Sequence, residues 1–313
     1  MPPEETVVSS VPIHFFGFLI NVADSIIGLQ LDDGFRMERK SEAEVMPFLD
    51  FIEKSYGEEE RVRVIAFDSQ GSPKGCYCVT KPSIDQFEPT SRGGVVIKWA
   101  TGRTVHSQLQ DRLRLLRLFK EGNVAMPYSC LYRDLPDGRP DIFGIMRSYP
   151  IWDRTPLILE LSELEEARSF VNAHSLPLSE AYLQLAFEGF ELSHEVHDVG
   201  LAFLSLMIAM EVLLNPSKDE LRYRVSRNTG VLLGQDRVEG ETIFKEMKDL
   251  YGKRSKLVHT GDRSLVAREE MLKLRRYARE AVKEAMRSRL SKDTLLSTLN
   301  ACGFGERTWR QGE

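Results

Sequence analysis

The sequence predicts an α+β N-terminal domain followed by an all-α helical bundle, and three observations carry that reading. From about Thr6 to Tyr149, short apolar runs rich in β-branched and aromatic residues are bounded by Gly, Pro and Ser. After Leu176-Pro177-Leu178-Ser179 no strand-like alternation returns. Beyond that junction, apolar residues recur at helical steps through long segments separated by short breaks. The expected domains are residues 1–177 and 178–313.

In order, Val7-Val8 and Pro12 to Ile20 read as strands, and Ile26 to Leu31 with Gly34 to Met37 as a hairpin around Asp32-Asp33-Gly34. Ser41-Glu42-Ala43-Glu44 is a capping box, because Ser41 can accept from the amide three residues on while Glu44 reaches back. It opens a helix to about Tyr56, with Val45, Phe48, Leu49 and Ile52 facing inward. Arg61 to Phe67, Gly75 to Val79 and Gly94 to Trp99 are expected as short strands. Gln108 to Lys120 is an amphipathic helix with Leu113, Leu116 and Phe119 as its core stripe. The turn-rich Arg133 to Asp141 leads into a last strand, Ile142 to Trp152, and Ser162 to Glu165 caps a helix to about His174.

The second half reads as helices from Ser179 to His194, Val199 to Leu214, Ser217 to Gly234, Glu241 to His259, Ser264 to Arg289 and Ser291 to Leu299. Val199 to Leu214 is apolar almost all round, which places it at the centre of a bundle. Its one charged residue, Glu211, then needs a basic partner, with Arg227 the first candidate and Arg254 the second.

Composition excludes several classes. Of 313 residues, 42% are apolar and 28% charged, enough to bury a sizeable core. No uninterrupted apolar stretch suggests a transmembrane helix, and Met1-Pro-Pro-Glu-Glu is unlike a signal peptide, so a cytoplasmic protein is expected. The 4 Cys are too scattered for a disulfide framework or a zinc site, and no cofactor or metal is expected. His194 and His197 flank a helix break with Asp198 adjacent, but the further ligand a metal site needs is not evident. Gly71 to Gly75 lacks the Lys-Ser/Thr ending of a phosphate-binding loop. Net charge is −5, yet Arg237 to Arg289 holds 15 Lys and Arg against 9 Asp and Glu. A local basic excess suits a polyanion; a solvated helix surface laced with ion pairs is the plainer alternative.

Within that basic segment Ile243, Met247, Leu250 and Leu257 mark one buried helix face, and Arg254 falls on the same stripe. His259 follows five residues later, just before Thr260-Gly261. Five helical residues rotate a side chain by about 140° beyond one full turn, so both face one site only if the helix end bends or unwinds. A fixed guanidinium beside an imidazole suits phosphodiester chemistry; a helix-end histidine and a structural ion pair are the alternatives.

Arg254-Ser255-Lys256-Leu257-Val258-His259 forms an Arg-x4-His motif. Together with Phe203 to Leu214 and Leu221 to Gly234 it resembles the HEPN superfamily, in particular the Apea-like HEPN domains of bacteria, over about Leu178 to Leu290. The resemblance implies a HEPN-like bundle acting as a metal-independent endoribonuclease, with Arg254 and His259 catalytic and the motifs of two copies meeting across a homodimer. RNA is the implied substrate and a bacterial defence or toxin role the implied setting. Glu211, Arg227 and Ser255 are expected to support the site, and Arg222, Arg224, Lys253 and Lys256 to touch RNA. The N-terminal domain is left for a protein or nucleotide trigger. The competing expectation is a non-catalytic nucleotide- or RNA-binding dimerisation module.

Overall fold

The computed structural model describes residues 11–67, 70–89, 95–96, 99–148, 154–215 and 220–307. The chain divides into two compact units, and the change between them falls at His174/Ser175. The first is an antiparallel sheet with helices and the second is helical, as the composition of the two halves requires.

In the first unit, strands β1 (Val11–Ile20), β2 (Arg36–Lys40), β4 (Pro73–Pro89), β6 (Ala125–Asp134) and β7 (Pro140–Arg147) run in the order β2-β4-β1-β6-β7. Two short strands, β3 (Ala66–Phe67) and β5 (Val95–Val96), pair with β4. Alternation along β1 sends Phe16 and Phe18 to one face, where they meet α1 (Glu42–Tyr56) through Val45, Phe48, Leu49 and Ile52. Phe16 and Phe48 stack at 4.0 Å. The other face meets α3 (Trp99–Phe119), where Gly102 lies against Leu131. The Ser41 capping box forms with both of its bonds, and Leu113 and Leu116 are fully buried.

Several local expectations fail here for physical reasons. Of the expected strand Arg61 to Phe67 only Ala66–Phe67 forms: α2 (Glu58–Arg63) starts behind Gly57 and takes the first part, because acidic Glu58, Glu59 and Glu60 favour a helix N-terminus. The expected first hairpin is a 3-10 turn, Asp24–Gly28, and a single Gln30–Arg36 bridge, with Gly34 at φ 80° making the reversal. α3 begins well before Gln108. The box before α4 (Leu164–Ala173) is formed by Glu160 and Glu163 rather than Ser162 and Glu165. Val7-Val8 and Tyr149 to Asp153 lie outside the described residues, as does most of the expected Ser217 cap.

In the second unit, α5 (Ala181–Glu195) and α6 (Val199–Leu214) pack so closely that a Cβ at Gly189 would touch Ala209 at 3.0 Å. α7 (Leu221–Leu233), α8 (Arg237–Thr260), α9 (Arg268–Ser288) and α10 (Lys292–Ala301) complete the bundle. Asp198 caps α6 by accepting from the Leu201 amide, and Asp236 starts α8 a turn earlier than the sequence suggests. No helix among the described residues is long and apolar enough to cross a membrane.

Candidate functional site

Helix α8 is unbroken from Arg237 to Thr260, and Gly261 ends it at φ 70°. Ile243, Met247, Leu250 and Leu257 are buried along one face. Arg254 lies on that inner face. Its guanidinium sits 3.4 Å from a carboxylate oxygen of Glu211 on α6 and 5.6 Å from the ring centre of Tyr251. Tyr251 donates its hydroxyl proton to the same Glu211 oxygen at 2.7 Å. Burial, and then this bond to a carboxylate, push the Tyr251 phenol up to about 12, so it stays a donor.

The partner of Glu211 is therefore Arg254 and not Arg227. Arg227 instead donates to the carbonyls of Leu299 and Cys302 at 2.9 and 2.7 Å, satisfying the end of α10. That corrects its expected place beside Glu211.

Because α8 stays helical to Thr260, past His259, the imidazole projects about 140° round the helix from Arg254. The imidazole is exposed and makes no side-chain hydrogen bond among the described residues. Within one chain the two motif residues do not converge. What shares a face with His259 is the outer side of α8: Gly252, Ser255 and Lys256 lie seven, four and three residues before it.

An open groove covers this outer side, lined by Arg222, Asp249, Tyr251, Gly252, Lys253, Ser255, Lys256 and Glu270. Lys253 is taken up by Glu270 at 2.6 Å. Burial is the largest single influence and raises the Glu270 carboxyl. The bonds from Lys253 and the Ala267 amide, with the charges of Lys253 and Lys273, together outweigh it and the net shift is downward. Ser255 and Lys256 have no side-chain partner among the described residues. Arg222 donates its Nε to the carbonyl of Lys248 at 3.0 Å and meets no carboxylate there. Arg224 pairs loosely with Glu220 at 3.7 Å, away from this groove.

Sequence reasoning missed Gly252. A glycine in mid-helix is a detectable signal, because it weakens the helix unless something needs the space. Here Arg222 rests beside that space: a Cβ at position 252 would lie 3.4 Å from its terminal nitrogen, in ordinary contact.

Two other clusters are committed elsewhere. Asp198, beside His197, caps α6 and pairs with Arg263 at 2.7 Å. His106 contacts the Ser129 hydroxyl at 2.7 Å, but Ser129 is fully buried and cannot meet a substrate. Among the described residues no group of three or more His, Cys, Asp or Glu is arranged to hold a metal.

No family model matches this chain, and neither a curated protein nor a solved structure matches it.

Proposed function

We propose that the helical unit acts on RNA as a metal-independent endoribonuclease of the HEPN kind. The observation that carries this reading is the Arg-x4-His motif at the C-terminal end of α8. Its exposed imidazole stands beside a groove whose Arg222 and Lys256 meet no carboxylate among the described residues. The 2′-hydroxyl attacks the adjacent phosphorus while His259 moves the proton. Arg254 holds the phosphate and offsets charge on the pentacoordinate transition state. The products are a 2′,3′-cyclic phosphate and a 5′-hydroxyl.

The divergence of Arg254 and His259 makes the site incomplete in one chain, so a second copy supplies the other half. Apolar surface beside Arg254 supports such a partner. Glu211–Arg254 and Asp198–Arg263 set α6 antiparallel to α8, so Ile208 and Val258 lie one turn along from the first pair. They are 53% and 51% exposed, and Leu201, further along the same stripe of α6, is 47% exposed. A two-fold homodimer through this surface suits the reading. The setting is bacterial defence or toxicity, with the sheet unit receiving a protein or nucleotide trigger.

A second reading, a non-catalytic RNA- or nucleotide-binding dimerisation module, is favoured by one observation: Glu211 and Tyr251 already hold Arg254. Cleavage of RNA in EDTA by wild type and His259→Ala, side by side, separates the two. The nuclease reading expects a loss of about a hundred- to ten-thousand-fold in the variant with binding retained. Equal cleavage by both proteins ends it, and inactivity of both supports the binding module.

A further inference from the structure

Three features of the α8 outer face concern what the groove is for, and none depends on Arg254. The first is a fixed cation. Arg222 reaches from α7 to lie across Gly252, tethered by its Nε to the Lys248 carbonyl at 3.0 Å. That single tether leaves the terminal guanidinium nitrogens turned to the groove, and a guanidinium presents paired donors that match two oxygens of one phosphate. The second is what stands beside it. Ser255 and Lys256 follow Gly252 by three and four residues, so they are its neighbours on the helix surface. Neither side chain has a partner among the described residues. The third is position. His259 lies three and four residues beyond Lys256 and Ser255, one turn further along the same face.

The opposing charges are accounted for. Glu270 and Lys253 neutralise one another at 2.6 Å. Asp249 is exposed and, three residues before Gly252, is one carboxylate beside the seat of Arg222, where Arg222 and Lys256 outnumber it. Near the seat of Arg222 the balance is positive.

We propose that Arg222, Ser255 and Lys256, seated around Gly252, form a phosphate subsite that leads a nucleic-acid strand along α8 to His259. This rests on the reading that the helical unit binds RNA, and it assigns the ground-state grip on the strand to the outer face of the helix. Arg222 takes two oxygens of a phosphate, the Ser255 hydroxyl donates to a third acceptor, and Lys256 neutralises charge one turn nearer to His259. The subsite reads phosphate, so it holds DNA and RNA single strands alike and contributes no base preference.

The test uses the full chain carrying His259→Ala, so that a bound strand is not consumed, in EDTA. Binding of a short labelled single-stranded RNA, and of the DNA of the same sequence, is followed by fluorescence anisotropy over a range of salt. Arg222→Ala and Lys256→Gln are each expected to weaken both strands about tenfold at low salt. Each also lowers the slope of log affinity against log salt by about 0.7, the value of one lost phosphate contact. Arg237→Ala is the control: that arginine is 82% exposed and paired with Glu241 on α8, and it is expected to change neither quantity. Lys256 is exposed and its side chain bonds to nothing described, so its variant reports even if Arg222→Ala folds poorly. Slopes for Arg222→Ala and Lys256→Gln equal to that of the control overturn the subsite while leaving the nuclease reading standing. A parent protein that binds neither strand overturns both.

Discussion

The inner and outer faces of α8 use basic residues in opposite ways. On the inner face Arg254 is confined between Glu211 and Tyr251, inside the packing that joins α8 to α6. On the outer face Arg222 and Lys256 meet no carboxylate among the described residues. A cation drawn partly out of water needs a partner, so Glu211 holds the inner charge until a phosphate competes for it. A cation left in water costs little to keep and remains available to a polyanion. One helix therefore has on one face a cation held in a structural pair, for which a phosphate must compete, and on the other face cations open to a phosphate at once. Single substitutions measure how sharp that difference is.

The largest effect belongs to the inner face. Met247 is fully buried, and Met247→Ala should lower stability by about 2–5 kcal/mol. Lys256→Ala, on the outer face, should stay within about 0.5 kcal/mol of wild type. Denaturant midpoints read both, and similar losses in the two would mean that the outer face is structural as well. Next comes Gly252→Ala, which should raise stability by about 0.5–1 kcal/mol, because alanine is the better helix former and the space at 252 accepts a methyl group at ordinary contact distance. A larger side chain, as in Gly252→Leu, crowds Arg222 and should weaken strand binding, so a folded Leu variant that binds as before would detach Gly252 from the subsite.

The smallest effect is electrostatic and sits on the groove's edge. The folded-state pKa of Glu270 lies below its unfolded value, with Lys253 as the favourable partner. Its contribution is present above the ordinary glutamate range, near pH 4.5, and is lost as pH falls through the lower folded value. Glu270→Gln should therefore flatten the acid limb of a stability-against-pH curve and leave the neutral region only slightly changed. An unaltered acid limb would show that the Lys253 pair is too well solvated to matter.

How far the sequence leads depends on the range of the interaction. α6 is readable because an unbroken apolar run sits between Asp198, which caps it, and Asn215, which ends it. α1 is readable for the same reason, its start written in the Ser41 and Glu44 pair. α2 misleads because Val62 and Val64 alternate like a strand, while the helix is decided by Gly57 and three acidic residues before them. The choice between Arg254 and Arg227 for Glu211 is not legible, since it depends on which helices lie side by side. Arg227 is drawn instead to the carbonyls ending α10, more than seventy residues away. The groove escapes for a similar reason: Arg222 and Gly252 belong to different helices, and only their contact gives the glycine a meaning.

That contact also bears on how the protein would fare under selection or engineering. Mid-helix glycines are routine targets for stabilising exchange, and most such exchanges leave activity alone. At position 252 a screen that rewards heat resistance would choose alanine, and going on from there to larger side chains would fill the place where Arg222 rests. Variants ranked by sturdiness alone would thus drift towards a protein that folds well and grips its ligand badly, without any change in the Arg-x4-His motif to give warning.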